Sequence, residues 1–244
     1  MSLSDIGILI SFFDIVKNAI YTDIFTLSGA LALALFWVPI FARKGSRTHI
    51  HYGKMYVWLM YIVAVSGVVM SVMVLVNPSY FKPNASHTVV YQFYSLLLFL
   101  SALTFVSVRH AMLVLKHKTD TSVFRRVGFL WMPAFLVGGG VTLLVIAVNS
   151  SSTLILHYVF GGLGVFIGSS MAHFAFRQNP PRKIWLTEHI GAILGSGIAA
   201  YTAFLAFGAR HWLTFLGEWQ LAVWILPGVV GTVGIVWASR RWGR

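Results

Sequence analysis

Residues 43–76 read RKGSRTHIHYGKMYVWLMYIVAVSGVVMSVMVLV, and the break inside that stretch decides the fold. From Arg43 to Lys54 it carries four cations, Arg43, Lys44, Arg47 and Lys54. From Met55 to Val76 it has no charge at all. An α-helix rises about 1.5 Å per residue, so roughly 20 apolar residues cross the hydrocarbon core of a bilayer. Residues 55–76 meet that length, with cations gathered at one end.

The same pattern recurs outward in both directions. Apolar runs of spanning length lie at about 24–42, 55–76, 88–112, 127–148, 153–176, 186–207 and 219–238. Between them stand Lys44-Gly45-Ser46, Asn77-Pro78, Lys118-Thr119-Asp120, Asn149 to Ser152, Asn179-Pro180-Pro181 and the segment from Arg210 to Glu218. Hydrophobic residues make up 58% of the 244 and charged residues 10%, too little polar surface to coat a water-soluble globule. The mean hydropathy of +0.80 agrees. The sequence predicts an all-α polytopic membrane bundle of seven transmembrane helices, a single domain over 1–244 embedded in the lipid bilayer. Residues 1–20 lack a basic leader, and Asp5, Asp14 and Lys17 interrupt their apolar run. They read as a short interfacial helix, not a cleaved signal.

Sidedness follows from the cations. Arg43, Lys44, Arg47 and Lys54 follow span one; Arg109, Lys116, Lys118, Arg125 and Arg126 follow span three. Arg177, Arg182 and Lys183 follow span five, and Arg240, Arg241 and Arg244 close the chain. Only Lys17, Lys82 and Arg210 fall on the other side. Cytoplasmic loops are enriched in Lys and Arg, which predicts an outer N-terminus and a cytoplasmic C-terminus. The formal net charge of +12 is thus a matter of orientation, with no nucleic-acid partner implied.

Glycine stripes mark where backbones can approach closely: Gly161, Gly164 and Gly168 in span five, Gly191 and Gly195 in span six, and Gly228, Gly231 and Gly234 in span seven. Such stripes serve helix packing, a homodimer contact, or a flat cofactor lying on a bare helix face.

Absence of cysteine excludes disulfides and thiolate metal sites, so polar chemistry falls to nine histidines. His49, His110, His173 and His189 sit at span ends on the predicted cytoplasmic side. His51, two residues from His49, points away from it on a helix. Each histidine can also be a headgroup anchor. As a group they suggest one shared inner site with two readings. One is haem b, held by paired imidazoles with Arg47, Arg109 and Arg177 for the propionates. The other is a transition metal, namely zinc, copper or iron, held by three or four imidazoles, with Glu188 orienting a ligand or acting as base. A further outer pair, His87 and His157, would serve a second site. But His87 and His110 are 23 residues apart and His157 and His173 are 16, about 35 and 24 Å along their helices, so both pairs cannot be level unless span three is strongly tilted, which favours one inner haem over two.

Either cofactor implies electron transfer or another membrane redox reaction, with a membrane redox partner or quinone. The alternatives are a transporter or channel without cofactor, or a metal-dependent hydrolase acting at the membrane. Coupled carriers usually place acids in mid-membrane, and none of the six acids lies clearly there. No span carries a mid-membrane lysine, which disfavours a retinal Schiff base.

Two segments resemble uncharacterised bacterial polytopic membrane proteins. Arg47, His49, Gly53 and Lys54 match a basic-x-His-x-x-x-Gly-basic opening of a span. His189, followed by Gly191, Gly195 and Thr202-Ala203-Phe204, matches the second, which ends at Trp224 to Gly228. The resemblance covers about a third of the chain. It implies a bacterial inner-membrane location, favours His49 and His189 among the histidines, and implies no activity.

Overall fold

The computed structural model describes residues 24–178, 181–205, 209 and 212–243. The expected interfacial helix over 1–20 and the end of the sixth expected span lie outside them. The described residues are helical, with no strand among them. Their long helices are α1 (Phe25–Phe41), α2 (Arg47–Val76), α3 (His87–Lys116), α4 (Val127–Val148), α5 (Ile155–Phe176), α6 (Ile184–Ala203) and α7 (Gln220–Trp242). A single turn, Pro78–Phe81, and two 3-10 segments, Thr121–Arg125 and Thr214–Trp219, join them.

Five are long and apolar enough to cross a membrane: α2, α3, α4, α5 and most of α7. This makes the chain a helical, multi-pass membrane protein by length and composition. The other two expected spans fall below that standard. Helix α1 has 17 residues, about 26 Å of rise against a core of about 30 Å. Helix α6 is long enough, but Thr187, Glu188, His189 and its Gly and Ser residues dilute its hydropathy.

Hydropathy placed the start of α2 too late. The helix begins at Arg47, so His49, His51 and Lys54 belong to its first turns and not to a loop. The local cause is a cap. Gly45 adopts φ 78°, a conformation glycine takes without a Cβ clash, and Ser46 then accepts a hydrogen bond from the His49 N–H at 3.2 Å. Helix α3 likewise runs past the expected end to Lys116.

Contacts divide the chain into two compact units, one ending at Ser101 and one starting at Ala102, within α3. In the first, α1 and α2 pack antiparallel: Phe36 meets Tyr56 with rings 5.5 Å apart, and Pro39 lies beside Gly53. Val74, Phe81, Val90 and Tyr94 form a core around the turn at Pro78.

In the second, α4 and α5 pack antiparallel through glycine. A Cβ on Gly140 would lie 2.6 Å from the Gly161 carbonyl oxygen, and one on Gly168 2.7 Å from that of Pro133. Helices α6 and α7 also run antiparallel, Gly231 against Ile198 and Gly243 against Thr187. Val114, Phe124, Phe174, Ala175 and Ile184 close a core where α3, the 121–125 segment, α5 and α6 meet.

Hydroxyls inside the apolar helices are satisfied locally. Ser66 donates to Ile62, Ser71 to Gly67, Ser101 to Leu97, Thr142 to Gly138 and Ser196 to Ile193. An unpaired hydroxyl would be costly in lipid, and the turn below it supplies the carbonyl.

Candidate functional site

His110 lies in the last two turns of α3 and is almost completely enclosed, its side chain 4% exposed. Its ring meets Phe124 and Phe174 nearly edge-on, with centroids 5.8 and 5.7 Å away. Glu188, in the second turn of α6, brings a carboxylate oxygen to 3.3 Å from His110 Nε2. One residue along each helix, His189 Nδ1 stands 3.0 Å from the Ala111 carbonyl oxygen. Two side chains of α6 thus reach the same turn of α3.

Where the Glu188 carboxylate accepts from Nε2, the roles of the imidazole nitrogens follow. A neutral ring holding its Nε2 proton toward the Glu188 carboxylate keeps the lone pair on Nδ1. Carboxylates orient metal-binding and basic histidines in this way and raise their donor strength. The α3 ends of both contacts lie close to the C-terminus of that helix.

A small void adjoins His110, with room for about one water-sized guest. Phe124, Phe129, Met132, Pro133, Met171 and Ala175 complete its lining. Pro133 has no N–H to donate to the carbonyl of Phe129 one turn earlier, and a proline inside a helix loosens the packing around it.

Arg125 binds the end of α5. Its Nε donates to the Ala175 carbonyl at 2.9 Å and its guanidinium reaches the Arg177 carbonyl at 3.5 Å, tying off the end of α5. Asp120 caps the same connection, accepting from the Ser122 N–H and hydroxyl. Those bonds hold its carboxyl below the usual carboxylate range.

The other expected site residues take separate places. His49 Nδ1 lies 2.9 Å from the Pro39 carbonyl, and Lys44 Nζ donates to the Pro39 and Ile40 carbonyls, so the two cap the end of α1 in the first unit. Partial desolvation against that helix end lowers the pKa of Lys44, which is otherwise exposed. His173 on α5 is exposed, as are Arg47 and the Arg177 side chain. Arg109 carries a buried Nε with no hydrogen-bond partner. His87 is exposed and contacts Ser79 Oγ at 3.1 Å, whereas His157 is buried on α5. Among the described residues no three or more His, Asp or Glu side chains gather closely enough to hold a metal ion. His110 and Glu188 are each legible in the sequence as candidates, but their meeting is not. Met132 and Met171 escaped it because thioethers in an apolar span carry no polar signal.

Compared with known protein families, curated proteins and solved structures, the chain matches none.

Proposed function

We propose that this is a seven-span protein of a bacterial inner membrane, outer at its N-terminus, that performs a redox reaction through a transition metal held at His110. The observation that carries the reading is the enclosed His110–Glu188 contact at 3.3 Å. Removing the His110 imidazole from water is costly, and ionisable groups inside membrane proteins usually serve function; its partner Glu188 stays 23% exposed. A carboxylate-oriented imidazole beside an atom-sized void suits a single metal ion better than haem b, whose macrocycle needs a broad flat slot. The electron partner is then a membrane protein or a quinone within the bilayer.

Elemental analysis and an absorption spectrum of the detergent-purified chain test this. The expected result is one transition-metal ion per chain, lost in His110→Gln and reduced in Glu188→Gln. A metal-free protein after metal-replete expression, or a full Soret band with sharp reduced α and β bands, contradicts it. For sidedness, a carboxyl-terminal fluorescent-protein fusion should fluoresce and a phosphatase fusion there should be inactive. The reverse pattern overturns the orientation.

A further inference from the structure

The void beside His110 is lined by two methionines from two further helices. Met132 comes from α4 and Met171 from α5, and both are buried, 1% and 5% exposed. Helices α3, α4 and α5 thus each bring one donor side chain to a space of atomic size. The donors are an imidazole and two thioethers, with apolar Phe124, Phe129, Pro133 and Ala175 completing the wall. Thioethers are soft ligands that hold Cu(I) and bind zinc or divalent iron poorly in comparison.

From this juxtaposition we propose that His110, Met132 and Met171 form a binding site for a single cuprous ion. The inference rests on the reading of His110 as a metal ligand and supplies the metal and its remaining ligands. Glu188 holds one ring nitrogen and leaves the other to the ion. All three donors are uncharged, so the bound ion keeps its single positive charge. The Glu188 carboxylate, one imidazole away, balances it within the protein. The ligand set also explains how a metal can be held where histidines and acids do not cluster in threes among the described residues.

The test is an anaerobic titration of the detergent-purified full chain with Cu(I), against a chromogenic Cu(I) chelator. It compares wild type, Met132→Leu, Met171→Leu and, as a control, Met55→Leu on the exposed part of α2. Leucine conserves the volume of methionine, and unchanged helical circular dichroism and melting midpoint certify the fold. One Cu(I) per wild-type chain is expected, undisplaced by equimolar zinc. Each of Met132→Leu and Met171→Leu should weaken it about tenfold or more, and Met55→Leu should not. Failure of the wild type to bind Cu(I), or equal binding by all four proteins, overturns the proposal. Loss of a different native metal in His110→Gln, with no effect of either methionine change, overturns the thioether site while leaving the metal reading of His110 intact.

Discussion

Helices α4 and α5 and helices α6 and α7 are both glycine-rich antiparallel pairs, yet they use their glycines differently. In the first pair, added Cβ atoms at Gly140, Gly161 and Gly168 would all meet backbone closer than 3 Å. In the second, Gly191, Gly195, Gly228 and Gly234 have nothing within 4 Å of an added Cβ, and Gly231 meets only the flexible Ile198 side chain. The apolar window of α7 is only 6% buried, against 28% for α4 and 39% for α5. A glycine stripe therefore shows that a helix can be approached, not that it is. Lipid tails fill a bare stripe as readily as another helix does, because membranes supply no hydrophobic drive for association.

Substitution breaks or sharpens this contrast. The largest effect is expected for Gly140→Ala and Gly161→Ala, where backbone cannot move aside without parting the helices. Each should cost about 2–3 kcal/mol in reversible unfolding from detergent, the upper range of overpacking. Gly231→Ala should cost less, about 1 kcal/mol, since Ile198 can change rotamer. For Gly191→Ala and Gly234→Ala no loss is expected, or a gain of up to about 1 kcal/mol from the stiffer unfolded chain. Equal costs in the two pairs would mean that α6 and α7 are covered on their open faces too.

The smallest effect concerns the loop before α4. Asp120 has its pKa lowered by the Ser122 hydrogen bonds, so its contribution is present above the ordinary carboxylate range. It fades as pH falls through the lowered value. Asp120→Asn should flatten the acid limb of the stability profile by slightly lowering stability at neutral pH while leaving the acid end unchanged. A change confined to acid pH would contradict the capping role.

Much of the architecture was legible because oil solubility is a sum over many residues. Val127–Val148 coincides with the run read from hydropathy, and the α5 boundary agrees within two residues. Helix starts were harder where polar residues continue a helix beyond the apolar run. The eight residues from Arg47 to Lys54 are helical because Gly45 and Ser46 cap them, and hydropathy does not register a cap. At the site, His110 was visible as a titratable group near a span end. Its pairing with Glu188, 78 residues away, depends on which turn of α6 lies against α3, and no local pattern encodes that.

In the proposed site Glu188 orients His110 so that the remaining ring nitrogen can take a metal. Nitrogen-15 NMR of the histidine-labelled, detergent-purified chain reads that arrangement directly. One imidazole is expected to carry its proton on Nε2, with an Nδ1 resonance that shifts on metal loading and a tautomer preference that is lost in Glu188→Gln. A His110 signal indifferent both to metal and to Glu188→Gln would contradict it.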